Sequence, residues 1–182
     1  MSVAAVLVTK MISEYELPMI AAIICGIVLC SLLGTFNGFM ALKLKSNTMI
    51  VTLATMAIFQ GISYLISESK TYHNLPTAYM YIGQGKIFGW LPINVLIMLV
   101  IVLIVGFVMS KTTIGRKVYA AGDNPEAGRL AGLNVAKIKV LSFTAAGVLV
   151  GIGAILLSSR AGSAGSYPGL GNEFKGSTAS VI

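Results

Sequence analysis

The residues best suited to recognition lie together between Gly115 and Asn134. The stretch reads Gly-Arg-Lys-Val-Tyr-Ala-Ala-Gly-Asp-Asn-Pro-Glu-Ala-Gly-Arg-Leu-Ala-Gly-Leu-Asn, the longest part of the chain without a continuous apolar run. Asn124 suits the capping position of a helix, Pro125 suits its first residue, and Glu126 sets negative charge at the positive end of the helix dipole. Gly132 suits the position just past the end. The spacing therefore predicts a helix from Pro125 to Ala131. Isolated helices below about 12 residues are marginal in water, and Gly128 inside it costs about 1 kcal/mol relative to Ala. Such a helix needs a surface to dock on, and another protein is the expected one.

A second set of polar groups is embedded in apolar sequence: Asn37, Gln60 and Asn94. An amide in lipid must find a hydrogen-bond partner or face a wetted cavity. The three are candidates for a solute path, although interhelical hydrogen bonds are the more common role for each such residue. No Ser/His/Asp set, metal cluster or paired carboxylates accompanies them, and no phosphate-binding loop of the G-x-x-x-x-G-K-[ST] type occurs. Gly83-Gln-Gly85 lacks the strand–turn–helix context of a dinucleotide site. Cys25 and Cys30 share one apolar run and read as small packing residues. His73, the only histidine, lies in a polar loop and reads as solvated.

The elements that position these residues are apolar spans. Only 10% of the 182 residues are charged, against about 25% in soluble domains, so the composition is that of a membrane protein. The formal charge of +7 does not indicate nucleic-acid binding, because the basic residues flank apolar runs instead of clustering. Crossings are expected at about 17–42, 49–66, 87–110 and 138–158, with a loop at 111–137 between the last two. Gly34 and Gly38 form a small-xxx-small pair, and Gly147, Gly151 and Gly153 make the last span suited to close helix contact. Val95 to Val108 is almost wholly aliphatic and suits lipid. Met1 to Ile12 is too short to cross and is interrupted by Lys10; it reads as the tail of a span. Ser67 to Gly85 reads as a polar loop, with Tyr79, Tyr81 and Trp90 near the interface beyond it. Ala161 to Gly176 reads as a loop or re-entrant segment, and Ser177 to Ile182 begins another apolar run.

Alternate crossing places Lys43, Lys45, Lys111, Arg116, Lys117, Arg129, Lys137 and Lys139 on one side, against Asp123 and Glu126. The opposite side balances Lys10, Lys70, Lys86, Arg160 and Lys175 against Glu14, Glu16, Glu68 and Glu173. The positive-inside rule puts the first group, and the short helix with it, in the cytoplasm. No charged residue lies deep within a span, which argues against proton-coupled transport. A passage without an energy source and a cytoplasmic docking helix together suggest a separate subunit that hydrolyses nucleotide.

The stretch from Gly115 to Val135 resembles the permease subunits of bacterial ABC importers for ribose and related sugars. The similarity rests on Gly115-Arg116, aromatic Tyr119, Gly122, Asn124, Ala127, Arg129-Leu130, Ala131-Gly132 and Asn134-Val135. Glu126-Ala127 followed by Gly132 resembles the core of the importer coupling motif, from which Gly128 departs where alanine is usual. Asn37-Gly38 with Ala41, Leu42 and Lys43, the block Val51 to Met56, Ser158-Ser159-Arg160 and Gly169 to Glu173 are similar in order; Lys175-Gly-Ser-Thr differs from the family pattern. The resemblance covers nearly the whole chain, and family members extend further at both ends, so a fragment is expected.

The resemblance implies an all-α, polytopic membrane protein: one permease domain over 1–182, with about four full spans, partial segments at each end and a short cytoplasmic coupling helix. It implies a multi-pass protein of the bacterial inner membrane. It assigns ATPase coupling to Asp123, Asn124, Pro125, Glu126, Ala127, Arg129 and Gly132. It implies a cytoplasmic ATP-binding subunit holding ATP and Mg, an extracytoplasmic solute-binding protein, and a second permease subunit, identical or not. Surrounding lipid is the remaining partner, no cofactor is expected in this chain, and nucleic acid is not a partner. A permease for a nucleoside or branched-chain amino acid, and a non-transporting membrane scaffold, are the alternatives. The sequence does not name the solute.

Overall fold

The computed structural model describes residues 1–15, 17–44, 48–67, 75–87 and 90–163. In chain order the elements are α1 (Ser2–Ser13), α2 (Met19–Lys43), α3 (Thr48–Ser67), α4 (Thr77–Gln84), β1 (Lys86–Ile87), β2 (Leu91–Pro92), α5 (Ile93–Lys111), α6 (Thr113–Asp123), α7 (Pro125–Leu130) and α8 (Val135–Ala161). Helices α2, α3, α5 and α8 are long and apolar enough to cross a membrane. The chain is a polytopic α-helical membrane protein. The third crossing, expected from residue 87, begins instead at Ile93. Lys86 and Ile87 pair antiparallel with Pro92 and Leu91, and Pro92 then leads into the helix.

The α2–α8 crossing is the centre of the fold. On α2 the residues Ala22, Gly26, Cys30, Gly34 and Gly38 are buried and recur every fourth position, which places them on one stripe. Gly147, Gly151 and Ala154 of α8 face them. A Cβ on Gly147 would overlap the Cys30 carbonyl, and one on Gly151 would lie 3.1 Å from the Ile27 Cα. Backbones can approach this closely only because the side chains are hydrogen or a single small group. By contrast, α5 buries none of its residues within the chain. Its aliphatic surface is turned outward.

Three segments differ from the expectation set by sequence. Lys10 does not interrupt α1, which runs through to Ser13. Its ammonium reaches the end of α3, donating to the Ile66 carbonyl at 3.2 Å, and pairs with Glu14 at 3.6 Å. The apolar body of α1 is buried beside α2 and α8, with Val8 under Gly26 and Ala4 and Ala5 beside Cys30 and Ala154.

The second difference lies in the expected loop from Ser67 to Gly85, of which 75–85 is described and contains α4. Tyr79 is not an interfacial ring: it is fully buried. Its hydroxyl lies 2.6 Å from Ser158 Oγ, and Ser159 Oγ donates to the Tyr79 carbonyl at 2.5 Å. Gly83 rests on the backbone of Ser159 and Arg160, so α4 is clamped to the end of α8. Tyr81 and Trp90 are exposed.

Third, the 111–137 segment is mostly helical. Thr112 caps α6, its hydroxyl accepting from the Gly115 N–H at 3.4 Å. Gly115 and Ala121 are buried while Arg116, Lys117 and Tyr119 face outward. His73 and the segment after Ser163, including the expected loop to Gly176, lie outside the described residues. Helix α8 ends at Gly162, whose φ of 64° takes the left-handed conformation that glycine adopts freely.

Candidate functional site

Helix α7 begins as its residues dictate. The Asn124 side-chain oxygen accepts from the N–H groups of Glu126 and Ala127, each at 3.1 Å. These are two of the donors that a helix start leaves without an internal partner. Pro125 is the first helical residue. At the other end Gly132 takes φ 78°, and the N–H groups of Gly132 and Leu133 bond to the carbonyls of Arg129 and Gly128, each at 2.9 Å. Glu126 and Arg129 pair across one turn at 2.8 Å.

Gly128 is the one buried residue of α7. A Cβ there would lie 3.4 Å from the Val135 side chain and 3.7 Å from the Ala121 Cα, so α7 is seated on both α6 and the start of α8. Gly128 thus sits where α7 packs on its neighbours. Asp123, Asn124, Pro125, Glu126, Ala127, Arg129 and Gly132 are all exposed. So is Leu130, at 90%, a residue the sequence reading passed over. A leucine turned almost wholly out of a short polar segment is apolar area left uncovered by the described residues.

The second site is a cavity of about 460 Å³ among α1, α2, α3 and α8. Asn37 and Gln60 both line it, with Thr52 and Phe59 of α3 and Phe143 and Gly147 of α8. No lining side chain carries a charge. The Asn37 side-chain oxygen is buried and accepts no hydrogen bond among the described residues. Leaving such an acceptor unmet costs about 1–3 kcal/mol. The position follows from the helix period: Asn37 sits between Gly34 and Gly38, which face α8, and is turned aside from them toward α3. Asn94 is not part of the cavity. It lies at the start of α5 and accepts from the Val95 N–H at 2.9 Å.

The sequence reading also passed over two threonines. Thr35 Oγ1 of α2 and Thr144 Oγ1 of α8 lie 2.8 Å apart, a hydrogen bond between spans. At the basic end of the bundle, Lys139 Nζ donates to Thr48 Oγ1 at 2.7 Å.

The family described as branched-chain amino acid transport system / permease component matches residues 1–182. The L-arabinose transport system permease protein AraH of Escherichia coli (strain K12) is 38% identical over 137 residues, covering 75% of this chain and 42% of that protein. The ribose import permease protein RbsC of Haemophilus influenzae is 30% identical over 171 residues, 92% of this chain and 53% of that protein. The fructose import permease protein FrcC of Rhizobium meliloti is 29% identical over 189 residues, 100% of this chain and 52% of that protein. The chain spans about half the length of the curated relatives it matches. No solved structure matches it significantly.

Proposed function

The chain belongs to the family of branched-chain amino acid transport system permease components, and on that premise we propose that it forms the membrane-spanning part of an ATP-driven importer for a small neutral solute of the monosaccharide type. A cytoplasmic ATP-binding subunit, with its ATP and Mg, docks on α7. A solute-binding protein delivers the solute on the other side, and a second permease subunit completes the passage. The observation that carries this reading is α7 itself, capped at both ends and exposed over all but Gly128, with Leu130 presented outward. Exposed Leu130 beside the charged pair Glu126 and Arg129 gives α7 an apolar contact within a polar rim, the general anatomy of an interface patch.

The cavity supports the solute class. Asn37, Gln60 and Thr52 offer amide and hydroxyl groups suited to sugar hydroxyls, and Phe59 and Phe143 offer apolar faces. Among the described residues no charged side chain lines the cavity, which suits a neutral solute better than a zwitterion. The names of the arabinose, ribose and fructose relatives point the same way.

The test is reconstitution of the full-length protein in vesicles with its cognate ATP-binding and solute-binding proteins. ATP-dependent accumulation of a labelled pentose or hexose, with no accumulation of leucine, is expected. Hydrolysis that never responds to the loaded binding protein, together with no accumulation of any solute, would leave the scaffold reading in its place.

A further inference from the structure

Resting on that transport reading, we propose that α2 and α8 move as a single rigid lever driven from α7, and that Thr35 and Thr144 are the positioning residues that hold its register. Three observations join α7 to the wall of the cavity. The first is the joint between α7 and α8. Only Ala131 to Asn134 separate them, and this link is tied throughout: Ala131 N–H to Ala127 O at 3.0 Å, Leu133 N–H to Gly128 O at 2.9 Å, and Lys137 N–H to the Asn134 side chain at 3.0 Å. Gly128 also faces Val135, whose side chain would lie 3.4 Å from a Cβ at that position. A push on α7 has no slack in which to be lost.

The second is the α2–α8 contact. Gly34 and Gly147 meet backbone to backbone, without a flexible side chain between them to absorb displacement. Interfaces packed in this way shift as units instead of deforming gradually. The hydroxyls of Thr35 and Thr144 then fix one helix along the other. Thr35 Oγ1 lies 2.8 Å from the Ser31 carbonyl, and Thr144 Oγ1 lies 2.9 Å from the Val140 carbonyl. Each hydroxyl has one proton. One threonine therefore donates to its own helix and accepts from the other, which donates across the gap. Sliding one helix past the other breaks that arrangement.

The third is the contrast with α3. Asn37 and Gly34 of α2 and Phe143 and Gly147 of α8 line the cavity on the lever side, and Thr52 and Gln60 of α3 line it opposite. The contact of α2 with α3 includes a tilted aromatic pair, Phe36 and Phe59, with centroids 6.4 Å apart. Ring side chains can reorient about their side-chain torsions, whereas a glycine crossing has no side chain to turn. The cavity therefore changes shape by movement of the α2–α8 lever against α3.

The experiment uses the full-length transporter with Cys25→Ser and Cys30→Ala, carrying Thr35→Cys and Thr144→Cys, reconstituted with its partners. The lever predicts that oxidation forms the disulfide and leaves ATP-driven uptake at the rate of the reduced protein. A fall of about fivefold or more on oxidation, reversed by reductant, would overturn it. Bridging Phe36→Cys to Phe59→Cys with a short bifunctional thiol reagent should abolish the uptake that the same variant shows before reaction, and full retention of that uptake would also overturn it. Thr144→Val, which keeps shape and removes the hydroxyl, should lower the solute moved per ATP hydrolysed while unfolding temperature holds, and Thr144→Ser should restore it. An unchanged ratio in Thr144→Val would remove the positioning role. Uptake by the unsubstituted transporter is the separate control: its absence would count against the transport reading, not against the lever.

Discussion

Gly34 faces Gly147 across the α2–α8 crossing so closely that a Cβ on Gly34 would lie 3.1 Å from the Gly147 Cα and would overlap the Phe143 carbonyl. The contact is between main chains, so neither helix can yield by turning a side chain aside. Gly34→Val and Gly147→Val should each lower stability by about 1–3 kcal/mol or more, as forced overpacking does. Gly106, in α5, has nothing within 4 Å of its position. Gly106→Ala should be neutral or stabilise by up to about 1 kcal/mol through helix propensity. Thermal unfolding in detergent separates the two outcomes.

Asn37 offers the cavity an acceptor without a protein donor. Replacing it by an apolar residue of similar size removes a group whose burial is uncompensated, so Asn37→Leu should match or exceed the parent protein in unfolding temperature. Uptake should nevertheless fall, because the solute loses a hydrogen bond of about 0.5–1.5 kcal/mol. Uptake unchanged in Asn37→Leu would place the solute elsewhere.

The start of α7 depends on a single side chain. Asn124→Ala removes the acceptor for two N–H groups and should destabilise the helix by about 0.5–2 kcal/mol. Leu130→Asp leaves the fold alone, since that side chain touches little, and should weaken capture of the ATP-binding subunit by about 1 kcal/mol or more. The exposed Glu126–Arg129 pair contributes at most about 1 kcal/mol to stability, so charge reversal at Arg129 should show in capture and not in unfolding. Affinity capture from detergent extracts reads each variant.

Burial pushes the Tyr79 phenol above its ordinary value, and the hydrogen bond to Ser158 pulls part of the way back. A phenol raised on folding stabilises the folded state fully below its unfolded value near 10. That contribution is lost as pH climbs through the folded value. The clamp of α4 on α8 should therefore loosen only in strongly alkaline solution, and Tyr79→Phe should lose that alkaline component. Unfolding temperature followed against pH for both proteins checks the sign.

Local features were the legible ones. The four apolar runs, the Asn124-Pro125-Glu126 start with its Gly132 stop, and the glycines of α2 and α8 each act within a few residues of themselves. Tyr79 was misplaced because its burial is decided by Ser158 and Ser159, far along the chain. Helix α6 was overlooked because its charged residues masked Ile114, Val118 and Ala121, whose spacing repeats at helical intervals. The exposure of Leu130 and the meeting of Thr35 with Thr144 depend on how helices are rotated and stacked, which a single sequence does not specify. Asn37 and Gln60 come together while Asn94 stays outside, for the same reason.

The account depends above all on α7 facing the cytoplasm, where a nucleotide-hydrolysing subunit can reach it. Asp123→Cys or Arg129→Cys, placed one at a time in the full-length protein without Cys25 and Cys30, can be challenged with a membrane-impermeant thiol reagent. Intact cells should leave both positions unlabelled, and inside-out vesicles should label both. Labelling from the outside of intact cells would contradict the account.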